Sequence, residues 1–169
     1  MRISLTAPSD LPLLLKTRPG YYFLGELQGR LKQGHVCFLS RVGSEPVNLR
    51  WAFVGSVHLP YLSRTLILAA DEFYFDEVFT VPRWRHRGID EQTFRFMRTW
   101  FGDRGFKKQC CLLTSWDTHL HKRYESLGMA KIGELRSRLF GVSKRLVLEG
   151  RIQDLGHETI AVAPRKVET

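Results

Sequence analysis

The run Phe73-Tyr74-Phe75-Asp76-Glu77-Val78-Phe79-Thr80-Val81 constrains this chain most. It is dense in aromatic and β-branched residues and alternates poorly, as a central strand covered on both faces would. Pro82 ends it, and Arg83 to Gly88 make a tight basic turn. Asp90 through Gly102 then reads as a helix, with Phe94, Met97 and Phe101 on one face. A fully apolar strand follows at Lys108 to Thr114. Ser115-Trp116-Asp117 opens another helix, with Asp117 as cap and Leu120, Tyr124 and Leu127 on one face, until Gly128 stops it. Strand, tight glycine turn and helix together build an anion site. Free amides at the helix start point at the ligand, and the helix dipole favours negative charge. Gly88 lets the backbone approach a phosphate closely. The G-x-G-x-x-G and G-x-x-x-x-G-K-[ST] fingerprints are absent, so neither the common dinucleotide site nor the P-loop is indicated.

Upstream, Ser9 to Pro12 start a helix that Thr17-Arg18-Pro19-Gly20 ends. Tyr21 to Lys32 form a second, with Phe23, Leu24, Leu27 and Leu31 on one side. His35 to Arg41 and Val47 to Val54 flank a Gly43-Ser44-Glu45-Pro46 turn and read as a hairpin. Gly55 to Ser63 is irregular, and Thr65 to Ala69 is a short strand. Ala130 to Leu135 and Ser137 to Leu148 are two late strands. Residues 1–148 are expected to form one domain, and 149–169 a polar C-terminal tail, ordered in part at most.

The chain has 169 residues, enough for a self-sufficient core. Its 26 basic against 17 acidic residues give a net charge of +9. That charge suits nucleic acid, an anionic surface or a phosphorylated small ligand. Cys37, Cys110 and Cys111 are odd in number and irregularly spaced, which argues for reduced thiols. The apolar patch after Pro12 is too short for a secretory signal, and no apolar run is long enough to span a membrane. A cytoplasmic protein is expected. His58, His86, His119 and His121 form no metal pattern, so no metal is expected.

Two carboxylates, Asp76 and Glu77, lie inside the central strand, where an unpaired charge is costly. Either one, facing a cleft, could take a proton from an amine or hold its ammonium. Strand alternation groups Asp76 with Tyr74 and Val78, and Glu77 with Phe75 and Phe79. Asp76 is preferred. Trp51, Phe53, Tyr61 and the aromatics at 21–23 suit an acceptor pocket or simply the core.

The chain resembles the GCN5-related N-acetyltransferase (GNAT) superfamily. That family's first motif is a strand ending in Val-x-Pro, then [Arg/Gln]-x-x-Gly-x-[Gly/Ala] and a helix. Arg85-His86-Arg87-Gly88-Ile89-Asp90 occupies that place. The second signature is Asn at a helix head, Tyr seven residues on, then Gly-Phe. Here Asp117, Tyr124 and Gly128-Met129 stand there. The resemblance covers about residues 73–135, and the hairpin sits where the family's second and third strands would be. It implies a single α/β domain with a central mixed, mostly antiparallel sheet flanked by helices. It also implies an acyl-CoA-dependent N-acyltransferase, acetyl-CoA by default, acting by direct attack of an amine on the thioester. Amides of residues 85–90 would hold the pyrophosphate, Phe79, Thr80 and Val81 would pair with the pantetheine arm, and Asp117 would take the place of the family's Asn. A backbone amide near the end of that strand would polarise the carbonyl, and Tyr124 would protonate the leaving thiolate.

The sequence departs from the family pattern at three places. Asp90 replaces a small residue, and is expected to point outward so as not to repel a diphosphate. Asp117 replaces Asn and Met129 replaces Phe. Two rival readings follow: a degenerate, non-catalytic GNAT-like interaction domain, and a basic nucleic-acid-binding protein. Edge strands in this fold often pair between subunits, which allows a homodimer.

Overall fold

Local sequence signals place most elements of the computed structural model, which describes residues 1–59, 64–114, 116–139 and 142–149. In chain order these are β1 (Arg2–Leu5), α1 (Leu11–Thr17), α2 (Leu24–Lys32), β2 (Val36–Val42), β3 (Glu45–Val54), β4 (Ser56–Leu59) and β5 (Arg64–Ile67). They continue with β6 (Glu72–Thr80), α3 (Ile89–Gly102), β7 (Lys108–Thr114), α4 (Thr118–Ser126), β8 (Lys131–Leu139) and β9 (Val142–Glu149). Two compact units contain them. The first is Met1–Val54 with Phe75–Gly105; the second is Gly55–Tyr74 with the described part of Phe106–Thr169. β6 opens in the second and ends in the first.

In the first unit the strand order is β1-β2-β3-β6. β2 and β3 form the expected antiparallel hairpin, from Val36↔Ala52 to Val42↔Glu45. Gly43, at φ 59, supplies the left-handed backbone its tight turn needs. α3 packs against β2 and β3 with Ile89, Phe94, Met97 and Phe101 buried, the face its spacing predicts. Phe38 on β2 meets Phe96, Trp100 and Phe101 of that helix. A buried Ser40–Thr93 hydroxyl pair at 2.6 Å satisfies the polar groups of the same interface.

In the second unit β6 pairs in parallel with β7 from Glu72↔Lys108 to Tyr74↔Cys110. β7 pairs antiparallel with β9, and β9 with β8. β4 and β5 make a separate antiparallel ribbon. The Asp71 carbonyl accepts from both Lys107 and Lys108 amides, at 2.9 and 3.1 Å, which fixes the start of β7. The architecture is therefore α/β, with a mixed, mostly antiparallel sheet and helices. No helix among the described residues is long and apolar enough to cross a membrane.

Three expectations need correction, and one strand was not expected. β1 has only four residues, and its sequence carries no period. It exists because β2 offers it an edge, from Arg2↔Arg41 to Leu5↔Phe38. Ser56–Leu59, read as irregular, is β4; its alternate burial of Val57 and Leu59 shows a strand period too short to stand out. α2 begins at Leu24, leaving Phe23 76 % and Leu24 45 % exposed while Leu27 alone is buried. The expected break at Arg136 falls inside β8. Residues 150–169 and Tyr61 lie outside the described residues.

Candidate active site

The turn that follows β6 is built by backbone geometry. The Val81 amide donates to the Val47 carbonyl at 2.9 Å, so the end of β6 is tied to β3. Successive strand residues turn their backbone groups to opposite edges. The Thr80 backbone groups therefore face away from β3, and its carbonyl accepts from Arg85 Nε at 3.1 Å. Pro82–Trp84 make one turn of 3-10 helix, anchored where Trp84 Nε1 and Arg83 donate to the Glu45 carboxylate. Arg87 stacks over the Trp84 ring, 4.9 Å from its centroid. His86 (φ 59) and Gly88 (φ 69) both adopt left-handed backbone, which swings the chain into α3. Among the described residues no side chain caps that helix, and its first internal bond runs from Gln92 N to Gly88 O. The leading amides of a long helix thus open onto an exposed turn bearing Arg85, His86 and Arg87. Ile89 is buried in the core beneath it.

Asp90 does not point outward, as expected. Its carboxylate accepts from Arg50 Nη2 at 2.8 Å and from Asn48 Nδ2 at 3.4 Å. Arg50 is wholly buried on β3 and supplies the charge that draws Asp90 inward.

The second feature is an interruption of β6. Glu77 has φ 52, a left-handed conformation that L-residues rarely adopt in a strand. The Asp76 carboxylate accepts from the Glu77 amide at 2.7 Å and steadies this kink. Ahead of the kink, Phe73, Tyr74 and Phe75 are buried in succession, as the poorly alternating run predicts. Glu77 reaches Arg30 of α2 through two bonds, 2.7 and 2.8 Å long. The Arg30 guanidinium lies 5.0 Å from the Trp51 ring centroid, 5.3 Å from Phe53 and 5.7 Å from Tyr22. Burial opposes its charge most strongly, but the hydrogen bonds and charges of Glu77 and Glu26 together outweigh burial and raise its pKa, so Arg30 stays ionised. Tyr22 is buried beside this pair. Burial first, then the Glu77 charge, raises the pKa of the tyrosine hydroxyl. Nearby, the Arg18 guanidinium stacks 3.3 Å from the Tyr21 centroid and 5.2 Å from that of Phe79. The aromatics expected at a pocket or in the core thus resolve: Trp51 and Phe53 are buried, and Tyr21 and Phe23 are exposed.

His35 belongs to the same cluster. It packs edge-on to Phe53, and its Nδ1 accepts from the Val54 amide at 3.4 Å. Burial, and then the Arg30 charge, depress its pKa below the ordinary histidine value. A depressed folded-state pKa gives stability that is full above about pH 6.5 and is lost as pH falls through the folded value. Urea midpoints should therefore fall between pH 7.5 and 5, more steeply in the native protein than in His35→Gln. Parallel pH profiles for the two proteins would contradict this.

In the second unit Asp117 caps α4, accepting from the Leu120 amide at 3.0 Å. Tyr124 is buried, on the face expected for it. In the first unit Cys37 is wholly buried, and burial pushes its thiol up to about 12, which suits an inert core residue.

No protein-family model and no curated protein matches the sequence. Solved structures do match. A ribosomal-protein-alanine N-acetyltransferase from Brucella melitensis gives a TM-score of 0.68 at 14% identity, covering 90% of this chain and 99% of its own. An acetyltransferase of the GNAT family from Streptococcus pneumoniae gives 0.66 at 10% identity, covering 89% and 99%. The fold is that of the GCN5-related N-acetyltransferases. A putative acetyltransferase from Salmonella typhimurium, solved with its cofactor acetyl-CoA, shares this GNAT fold at a TM-score of 0.65 and 11% identity, covering 96% and 98%.

Sequence reasoning missed Arg30 and Arg50. Arg50 could have been found: a charge within Val47-Asn48-Leu49-Arg50-Trp51-Ala52-Phe53 poses the same question as Asp76 and Glu77. Arg30 carries no such signal, because an arginine on a short helix ordinarily faces water.

Proposed function

We propose that this GNAT-fold chain is an N-acyltransferase that moves an acyl group, acetyl by default, from acyl-CoA to an amine. The observation carrying this reading is the uncapped start of α3 behind two left-handed residues, His86 and Gly88. Such a turn offers converging amides to a diphosphate, with Arg85, His86 and Arg87 adding positive charge and Ile89 anchoring the turn in the core. Phe79 and Thr80 at the end of β6, with Val81 just past it, are proposed to meet the pantetheine arm. Among them Thr80 is the one whose backbone faces away from β3, since the Val81 amide is bonded to Val47. Acyl-CoA would supply the acyl group as a reactive thioester.

The chain's own residues would bind, orient and move protons. Glu77 already gives both oxygens to Arg30, so we assign it to holding the kink and favour Asp76 for receiving the amine proton. Tyr124 is proposed as the proton donor to the departing sulfur. Asp117 is proposed to order the start of α4. Trp51, Phe53 and Tyr22 surround Arg30 and would form the apolar floor for the acceptor.

The test is calorimetric titration with acetyl-CoA, CoA and a longer acyl-CoA, followed by thiol release with a panel of amines. One arm of the panel should be peptides with N-terminal alanine. Micromolar, one-to-one binding with amine-dependent thiol release is expected. A folded protein that binds none of the three would end the enzymatic reading. Binding without release to any amine would favour the non-catalytic domain.

A further inference from the structure

Asp90 places a carboxylate in the first turn of α3, beside the amides proposed to hold a diphosphate. A bare negative charge there would compete for those amides and repel the ligand. The structure does not leave it bare. Asp90 Oδ1 accepts from Arg50 Nη2 at 2.8 Å, with the carboxylate 13% and the guanidinium 0% exposed. Asn48 Nδ2 lies 3.4 Å from the same oxygen and donates to Thr80 Oγ1 at 2.8 Å. One polar knot thus ties β3, the end of β6 and the first turn of α3.

The cost of this arrangement points to its purpose. Arg50 sits among buried Leu49, Trp51 and Ala52, its guanidinium 5.1 and 5.0 Å from the Phe75 and Phe94 ring centroids. Desolvating such a pair commonly costs more than its attraction returns, and apolar residues would often serve stability better. We infer that Arg50 is a positioning residue for acyl-CoA binding. It holds the Asp90 carboxylate back against the sheet and cancels its charge, so the start of α3 meets the diphosphate as a net donor. Arg50 and Asp90 therefore act as one unit, and loss of Arg50 converts Asp90 from a neutralised group into an opposing one. This inference rests on the acyl-CoA reading above.

The test compares native protein, Arg50→Met, Asp90→Asn and the double variant. Calorimetry with CoA gives affinity, steady-state kinetics separate kcat from KM for acetyl-CoA, and near-UV dichroism checks folding. Arg50→Met should weaken CoA binding at least about tenfold, through KM rather than kcat. Arg50→Met with Asp90→Asn should recover to within about threefold of native, because the opposing charge is gone. A folded Arg50→Met protein with native affinity overturns the inference, as does a double variant as weak as the single. Should Arg50→Met fail to fold, Arg50→Gln keeps a hydrogen-bond donor and loses only charge; the same weakening is expected, and native affinity there is equally decisive. Native protein that fails to bind CoA would sink the acyl-CoA reading itself, and this inference with it.

Discussion

Replacing Arg30 by methionine should destabilise the first unit by about 2–4 kcal/mol. The Arg30 and Glu77 side chains are only 15% and 18% exposed, so solvent screens their attraction far less than it screens a surface pair. Removing the guanidinium strands a part-buried carboxylate on a residue already held at φ 52. It also withdraws the cation that covers the Trp51, Phe53 and Tyr22 rings. Denaturant unfolding followed by tryptophan fluorescence measures the loss. Glu77→Leu combined with Arg30→Met should restore much of it, since an apolar pair strands no charge. A loss below about 0.5 kcal/mol for Arg30→Met alone would show the pair to behave as a surface contact.

The second large effect falls on binding. Gly88→Val is expected to weaken CoA affinity by about a hundredfold, because a β-branched residue at φ 69 forces the turn to rearrange. Space is not the obstacle: among the described residues a Cβ there would meet only the Gln92 side chain, at 4.0 Å. Gly88→Asn should therefore keep most of the affinity, since asparagine tolerates the left-handed region. Equal binding by the valine variant would remove the turn from the diphosphate site. Equal loss in both variants would mean that close approach of the backbone matters more than its dihedral angles.

The same turn shows how much of the site was legible in advance. Pro82, the basic run and Gly88 announced a tight turn into a helix, and the helix face of Phe94, Met97 and Phe101 followed from spacing alone. The direction of Asp90 did not follow. A carboxylate in a first helical turn normally faces water, and only a buried arginine on another element reverses that preference. Asp76 and Glu77 were visible as costly charges in a strand, but the left-handed backbone at Glu77 and its Arg30 partner were not. A left-handed residue breaks the period on which alternation depends.

What the amino-acid order determined by itself was local. Helix periodicity, the Asp117 cap, the Gly43 turn and the stop at Pro82 act within a few residues, so they survive without knowledge of the fold. Tertiary structure decided the partners. Arg30 meets Glu77 across 47 positions and Arg50 meets Asp90 across 40. Coulomb attraction acts through space, so the value of those charges is set only when β3, β6, α2 and α3 have packed and excluded water. Even β1, four residues without a pattern of its own, became a strand because β2 presented an edge to it.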